Sequence, residues 1–136
     1  MMLLPLLYLK VNEIIAFEEA VIAYRINPTS IMSNPSQSDV DDIEYNIEQH
    51  LAIAQSLEPE KRDIMILLAC QSMLYYKMIT NIRDGYIKSL FPMKRMIKKV
   101  KPFVKRYNIN LPFKTRLLFI SPLAANVYTY LKMHKS

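Results

Sequence analysis

The fold is decided by residues 60–88, which read EKRDIMILLACQSMLYYKMITNIRDGYIK. Pro59 stands directly before this stretch, at a position where proline suits the first turn of a helix. As far as Leu74 the stretch is apolar around most of its girth, and a helix of that kind is central to a core or packs against a missing partner. We therefore predict one long helix over residues 60–88.

A second helix is predicted just upstream, starting at Ser38. Its apolar residues recur at helical spacing, so that one face is expected to be buried; they are Val40, Ile43, Ile47, Leu51, Ala54 and Leu57. Ser38 and Asp41 have the spacing of a capping box, and acidic residues are favoured at the start of a helix.

The charge of the chain is divided at Asp84. The first 84 residues carry six Lys and Arg against twelve Asp and Glu, whereas residues 85–136 carry twelve Lys and Arg and no acid. So uneven a distribution directs the C-terminal third towards an anionic partner. A membrane surface, nucleic acid and a phosphorylated ligand all meet that description.

Residues 92–107 are predicted to form a basic amphipathic helix. Its apolar stripe comprises Met93, Met96, Ile97, Val100, Phe103, Val104 and Tyr107, and its other face carries Lys94, Arg95, Lys98, Lys99, Lys101, Lys105 and Arg106. Pro102 is expected to kink or restart the helix. The seven cations are interpreted either as a solvated face or as contacts to an anionic membrane surface. Nucleic acid is a less favoured partner, because no base-reading module accompanies the cations.

The remaining segments complete a mainly α fold. Two further helices are predicted over residues 113–120 and 122–134, separated at Ser121 and Pro122. Residues 14–17 and 20–26 are rich in β-branched and aromatic residues, which predicts a short N-terminal β-hairpin. The expected organisation is therefore residues 1–37 with a short helix over residues 3–11, the hairpin and a loop, followed by a C-terminal helical bundle over residues 38–136. No apolar run reaches the length of about 20 residues that spans a bilayer.

Candidate catalytic and metal-binding residues are few. His50 and His134 lie far apart, with no neighbouring Cys or His ligands. Cys70 stands in an apolar run and is expected to be buried. Asp39 and Asp41 spell a D-x-D pattern, which many sugar-nucleotide enzymes use for a metal, but here the pattern falls within the predicted helix start. No catalytic or metal-binding residue is therefore predicted.

Residues 14–33, IIAFEEAVIAYRINPTSIMS, resemble a stretch of bacterial family-2 glycosyltransferases, which have the A-type, nucleotide-sugar-binding α/β fold. In that family a short strand is followed by a second strand ending in Tyr-Arg and by a loop of Asn, Pro and Ser. Tyr24 and Arg25 occupy the end of the second strand, and residues 26–33 the loop. The C-terminal part is similar in its paired tyrosines at 75–76, its Lys-rich segment and its Ser-Pro step at 121–122.

The resemblance implies a C-terminal fragment or truncated form of such an enzyme, with residues 1–37 as the remnant of its α/β domain. The parent reaction is transfer of a sugar from a nucleotide donor, with Mg or Mn, to a cell-surface glycan or a lipid-linked acceptor in polysaccharide biosynthesis. The nucleotide-binding region and the catalytic residues have no counterpart here, so the chain is expected to hold no cofactor and to be inactive alone. Arg25, Asn27 and Ser30 are the implied substrate-binding residues.

The expected partners and location follow from the two interpretations together. The chain is predicted to be cytoplasmic and peripheral at the inner face of a membrane, with a separate N-terminal catalytic half or self-association as further possible partners. The alternative is a free-standing basic helical module that binds an anionic membrane surface or nucleic acid, with the resemblance accidental.

Overall fold

A computed structural model describes residues 34–135 of the chain, and this part consists of five α-helices without a strand. The helices are α1 (Gln37–Ala54), α2 (Pro59–Lys88), α3 (Leu90–Arg106), α4 (Phe113–Ile120) and α5 (Pro122–His134). The mainly α prediction is confirmed for these residues. The predicted hairpin over residues 14–26 lies outside the described residues.

Helices α1 and α2 form an antiparallel hairpin joined by residues 55–58. Every residue of the predicted apolar face of α1 from Val40 to Ala54 is buried, while Leu57 in the connection is half-buried. The predicted capping residues are wrong by two positions. Ser36 caps the helix, because its hydroxyl accepts from the backbone N–H of Asp39 at 3.2 Å, while the Asp39 carboxylate accepts from the N–H of Ser36 at 2.6 Å. The capping box therefore has the predicted spacing of three residues but lies two residues upstream of the predicted one.

Helix α2 is the centre of the bundle, as its sequence predicts. It contacts α1, α3 and α4, and its fully buried side chains include Met65, Ile66, Met73 and Ile79. The half-buried Leu68, Leu74 and Met78 point to other sides of the helix, so no single neighbour covers all of its apolar side chains. The other helices are arranged around α2 for this reason.

The chain turns from α2 into α3 at Gly85, which has φ 82° and ψ 167° inside an otherwise helical segment. The turn is fixed by Ser89, which is fully buried and whose hydroxyl donates to the side-chain oxygen of Asn81 at 2.5 Å. Asn81 in turn donates to Asn126 of α5 at 3.0 Å, and Asn126 donates to the carbonyl of Tyr86 at 2.8 Å. This chain of hydrogen bonds joins α2, α5 and the start of α3 at one corner.

Helix α3 then runs back along α2 as one helix that includes Pro102, so it does not restart there. Pro102 lies on the exposed side of α3, near the end of the helix. The carbonyl of Lys98, which would have accepted from residue 102, is on the same exposed side, where water can satisfy it. A proline at such a position removes one hydrogen bond but leaves no buried group without a partner.

Helices α4 and α5 are separated at Ser121, as predicted. The Ser121 hydroxyl accepts from the N–H of Ala124 at 3.2 Å, and Pro122 occupies the first position of α5. The pair packs across the second half of α2 and closes the core through Leu118, Phe119 and Ala125. None of the helices among residues 34–135 is both long and apolar enough to cross a bilayer.

We expect Gly85→Ala to lower the free energy of unfolding by about 1–3 kcal/mol, because only glycine adopts this backbone conformation without strain. A Cβ atom at this position would meet no atom within 4 Å, so the loss would come from the backbone alone. Urea denaturation followed by circular dichroism measures the change. Lys88→Ala, at an exposed helical position nearby, is the matched control, and equal stability of both variants would contradict the assignment.

Candidate functional site: the cationic face of helix α3

Helix α3 presents two faces of opposite character. Its apolar stripe is turned inward: Met93, Met96, Ile97 and Val100 are buried against α2, and Phe103, Val104 and Tyr107 are half-buried. The seven predicted contact residues are all exposed on the other side. The core therefore occupies the stripe that a helix lying in a membrane interface would insert, and only the cationic face is open to a partner.

The structure divides the seven cations into two groups. Arg95 binds Glu44 and Lys99 binds Glu48, so that both are held in ion pairs with α1. Arg106 lies 5.4 Å from the ring centre of Tyr107. Arg95 and Lys99 therefore face α1, and Arg106 lies further along the same line of α3.

The other four cations form what we call the lysine row: Lys94, Lys98, Lys101 and Lys105. Their spacing of four, three and four residues aligns them along one line of the helix, over a length of about 16 Å. None of them takes part in an ion pair among residues 34–135. The row is thus the part of the cationic face that is available to an external anion.

Glu44 connects this face of α3 to the rest of the bundle. One of its carboxylate oxygens accepts from the Arg95 guanidinium and from the hydroxyl of Tyr76 of α2, the latter at 2.5 Å. Tyr76 is fully buried, and burial together with the hydrogen bond to Glu44 raises the pKa of its phenol well above the usual range. The hydrogen bond to Glu44 likewise raises the pKa of Arg95. Through this one carboxylate, side chains of α1, α2 and α3 are joined.

The candidate catalytic residues of the sequence have structural roles. His50 is buried, with its Nδ1 atom 2.6 Å from the carbonyl oxygen of Asn46, and burial lowers its pKa. Asp39 belongs to the cap of α1, and the hydrogen bonds from Ser36 lower its pKa. Asp41 accepts from the side chain of Gln37 at 2.7 Å. Cys70 is buried, which raises the pKa of its thiol to about 12.

Within residues 34–135 no group of three or more His, Cys, Asp or Glu side chains is placed to hold a metal ion. Arg25, Asn27 and Ser30, the implied substrate-binding residues, lie outside the described residues. The described part therefore offers a charged surface as its clearest candidate site, and the lysine row is the centre of that surface.

Sequence reasoning missed a second cationic feature, in a groove between α2, α4 and α5. The groove has a volume of about 430 Å³ and is lined by Lys77, Lys114 and Lys132 among mostly apolar side chains. Lys77 is the only charged residue of the apolar run 64–82, and this isolated charge was the sequence signal that could have indicated the groove. The other two lysines come from the acid-free tail, but only the folded chain shows that the three meet.

Comparison with protein-family models, curated proteins and solved structures finds no match for this chain. The resemblance to family-2 glycosyltransferases stays a prediction, carried mainly by residues 14–33, outside the described residues. Of its C-terminal landmarks, Tyr76 contributes to the core and Ser121 caps α5. Both positions thus have a structural role within this bundle.

We expect Glu44→Ala to lower the free energy of unfolding by about 1–3 kcal/mol, since it leaves the buried Tyr76 hydroxyl without its acceptor. Glu48→Ala removes only an exposed ion pair and should cost about 0.2–1 kcal/mol. Glu44→Gln retains an acceptor oxygen and should fall between the two. Chemical denaturation of the three variants provides the measurement; equal losses for Glu44→Ala and Glu48→Ala would refute the role assigned to Glu44.

Proposed function

We propose that this chain is a peripheral membrane module that docks onto an anionic membrane surface through the lysine row. The observation that carries the proposal is the row itself, four exposed lysines aligned on α3 without ion pairs among residues 34–135. Like charges one turn apart destabilise a helix by about 0.2–0.5 kcal/mol per pair. Stability alone does not explain such a row, whereas an anionic surface converts the repulsion into attraction.

An exposed aromatic residue stands at the beginning of the row. Phe91 is 80% exposed and precedes Lys94 by three residues, which places it on the same side of α3. Ile87, 81% exposed, lies just before it in the chain. An apolar side chain beside lysines suits a membrane interface, where the ring enters the headgroup boundary while the ammonium groups stay at the surface. This pairing favours lipid over nucleic acid as the partner.

The expected strength of docking follows from the number of cations. A basic residue near an anionic leaflet contributes about 1 kcal/mol, so the row contributes about 4 kcal/mol, or about a thousandfold in affinity. Screening limits this attraction to about 8 Å at physiological ionic strength, which makes docking reversible and sensitive to salt. The proposed location is the cytoplasmic face of the inner membrane, where anionic lipids provide the negative potential.

The double variant Lys98→Gln/Lys101→Gln should bind vesicles of phosphatidylcholine and phosphatidylserine about thirtyfold more weakly than the unaltered chain, which corresponds to about 2 kcal/mol. Both positions are exposed, so the helical circular dichroism spectrum should not change. Vesicle flotation over a lipid titration gives the two affinities. The matched control is Lys88→Gln/Lys135→Gln, which changes the net charge equally at exposed positions outside the row.

Equal weakening by the control pair, or equal binding to vesicles of phosphatidylcholine alone, would exclude docking through the row. Phe91→Ser separates the two kinds of partner. It should weaken binding to vesicles while leaving any binding to duplex DNA unchanged. A chain that binds duplex DNA through Lys98 and Lys101 but does not float with anionic vesicles would replace the membrane by nucleic acid.

From the resemblance of residues 14–33 we further propose that the module belongs to a family-2 glycosyltransferase and is inactive alone. A docking surface suits such an enzyme, because the cell-surface or lipid-linked acceptor of the parent reaction lies at the membrane. The nucleotide sugar and its Mg or Mn would then be held by a separate catalytic half. Self-association of the chain is the other arrangement that this proposal allows.

The purified chain should therefore show no hydrolysis of a panel of nucleotide sugars in the presence of Mg²⁺ or Mn²⁺, and no ligand-induced shift of its melting temperature. Released nucleoside diphosphate and thermal denaturation are the two readouts. An unrelated active glycosyltransferase serves as positive control for the assay. Metal-dependent turnover by the purified chain would overturn the proposal that it is inactive alone.

A further inference from the structure

The groove between α2, α4 and α5 combines an apolar wall with three lysines that form no ion pair within residues 34–135. Its volume of about 430 Å³ lies within the range of small-molecule pockets, about 300–1,000 Å³. Leu74 and Met78 of α2 and Leu117 of α4 contribute to its wall, and its polar surface is small. Such a wall suits a hydrocarbon chain better than a sugar or a nucleotide.

Lys77 lies half-buried in this groove. Its ammonium group donates to the hydroxyl of Thr129 at 2.5 Å and lies 3.5 Å from the carbonyl of Ala125. An ammonium group has three hydrogens, so one of them has no partner among the described residues. Burial, and then the charge of Lys114, lowers the pKa of Lys77. The arrangement partly buries the ammonium group of Lys77 and leaves it able to donate one more hydrogen bond.

The surroundings of Lys77 add to the positive potential instead of reducing it. Lys114 of α4 and Lys132 of α5 line the same groove, and none of the ion pairs among residues 34–135 involves these three lysines. Three like charges around one apolar concavity create a local positive potential that an anion would reduce. The groove is thus complementary to a ligand with both a hydrophobic body and a negative head.

We propose that the groove binds a single-chain amphiphile with an anionic oxygen head group, either a carboxylate or a phosphate monoester. The alkyl chain lies along Leu74, Met78 and Leu117, and the head accepts from Lys77, with Lys114 and Lys132 nearby. The site involves different helices from the lysine row, so its test is independent of the vesicle experiment.

Laurate and dodecyl phosphate, each below the concentration at which it aggregates, are the probes of the two head groups. Either or both should bind the full chain with one-to-one stoichiometry in calorimetry and should shift the methyl NMR signal of Met78, which lines the groove. The methyl signal of Met93, a buried residue of α3 outside the groove, should not shift. Dodecanol has the same alkyl chain but no charge. It should bind at least about tenfold more weakly, because it cannot form the charge-assisted hydrogen bond to lysine.

Lys77→Met and, separately, the exposed Lys114→Gln should each weaken binding of the preferred anion by about tenfold, while Lys88→Met should leave it unchanged. The pair of groove variants keeps the test valid if the half-buried substitution disturbs folding. A preference for laurate would identify a fatty-acid head, and a preference for dodecyl phosphate a phosphate monoester. The proposal would be overturned by no shift of Met78 with either anion, by equal binding of dodecanol, or by an equal loss in Lys88→Met.

Discussion

Helix α2 carries apolar side chains around most of its girth, and the bundle depends on covering them. One neighbouring helix shields only one side of such a cylinder, so α1, α3 and the α4–α5 pair are each needed at a different side. This demand turns the apolar stripe of α3 inward and, because the stripe and the cations lie on opposite faces, turns the cations outward. Burial of α2 and exposure of the lysine row are therefore two results of the same packing constraint.

The uneven charge of the sequence is only partly a property of the surface. Two of the acids of α1, Glu44 and Glu48, neutralise Arg95 and Lys99, so the acidic first half and the basic second half meet along one seam of the bundle. The cations outside these two ion pairs are arranged more regularly than the composition indicates. Four lysines follow one line of α3, and three others surround the apolar groove.

Much of the fold could be predicted from local signals in the sequence. Pro59 and Pro122 start α2 and α5 as expected, and the spacing of Val40, Ile43 and Ile47 identified the buried face of α1. Predictions failed where two residues offered the same signal or where solvent decided the outcome. Ser36 and Ser38 both have an aspartate three residues later, and α3 does not restart at Pro102, which lies on its exposed side.

The candidate sites were harder to predict than the helices, because they depend on contacts between distant parts of the chain. The sequence does not show that Arg95 is held in an ion pair while Lys94 is not. The partner of Arg95 is Glu44, which is 51 residues away in the chain. Lys77 and Lys114 likewise line one groove only because the chain folds. The sequence pattern of one helix thus predicted which face carries the cations. Which of those cations can bind an external partner depends on tertiary packing.

The burial of Cys70 has a practical consequence. It is the only cysteine of the chain, and its thiol is shielded within the core. A cysteine introduced at an exposed position would therefore be the single reactive attachment point for a spin label or a fluorophore under native conditions. The distance of any chosen position from a bilayer or from a bound amphiphile then becomes directly measurable, while reaction of Cys70 itself would report opening of the core.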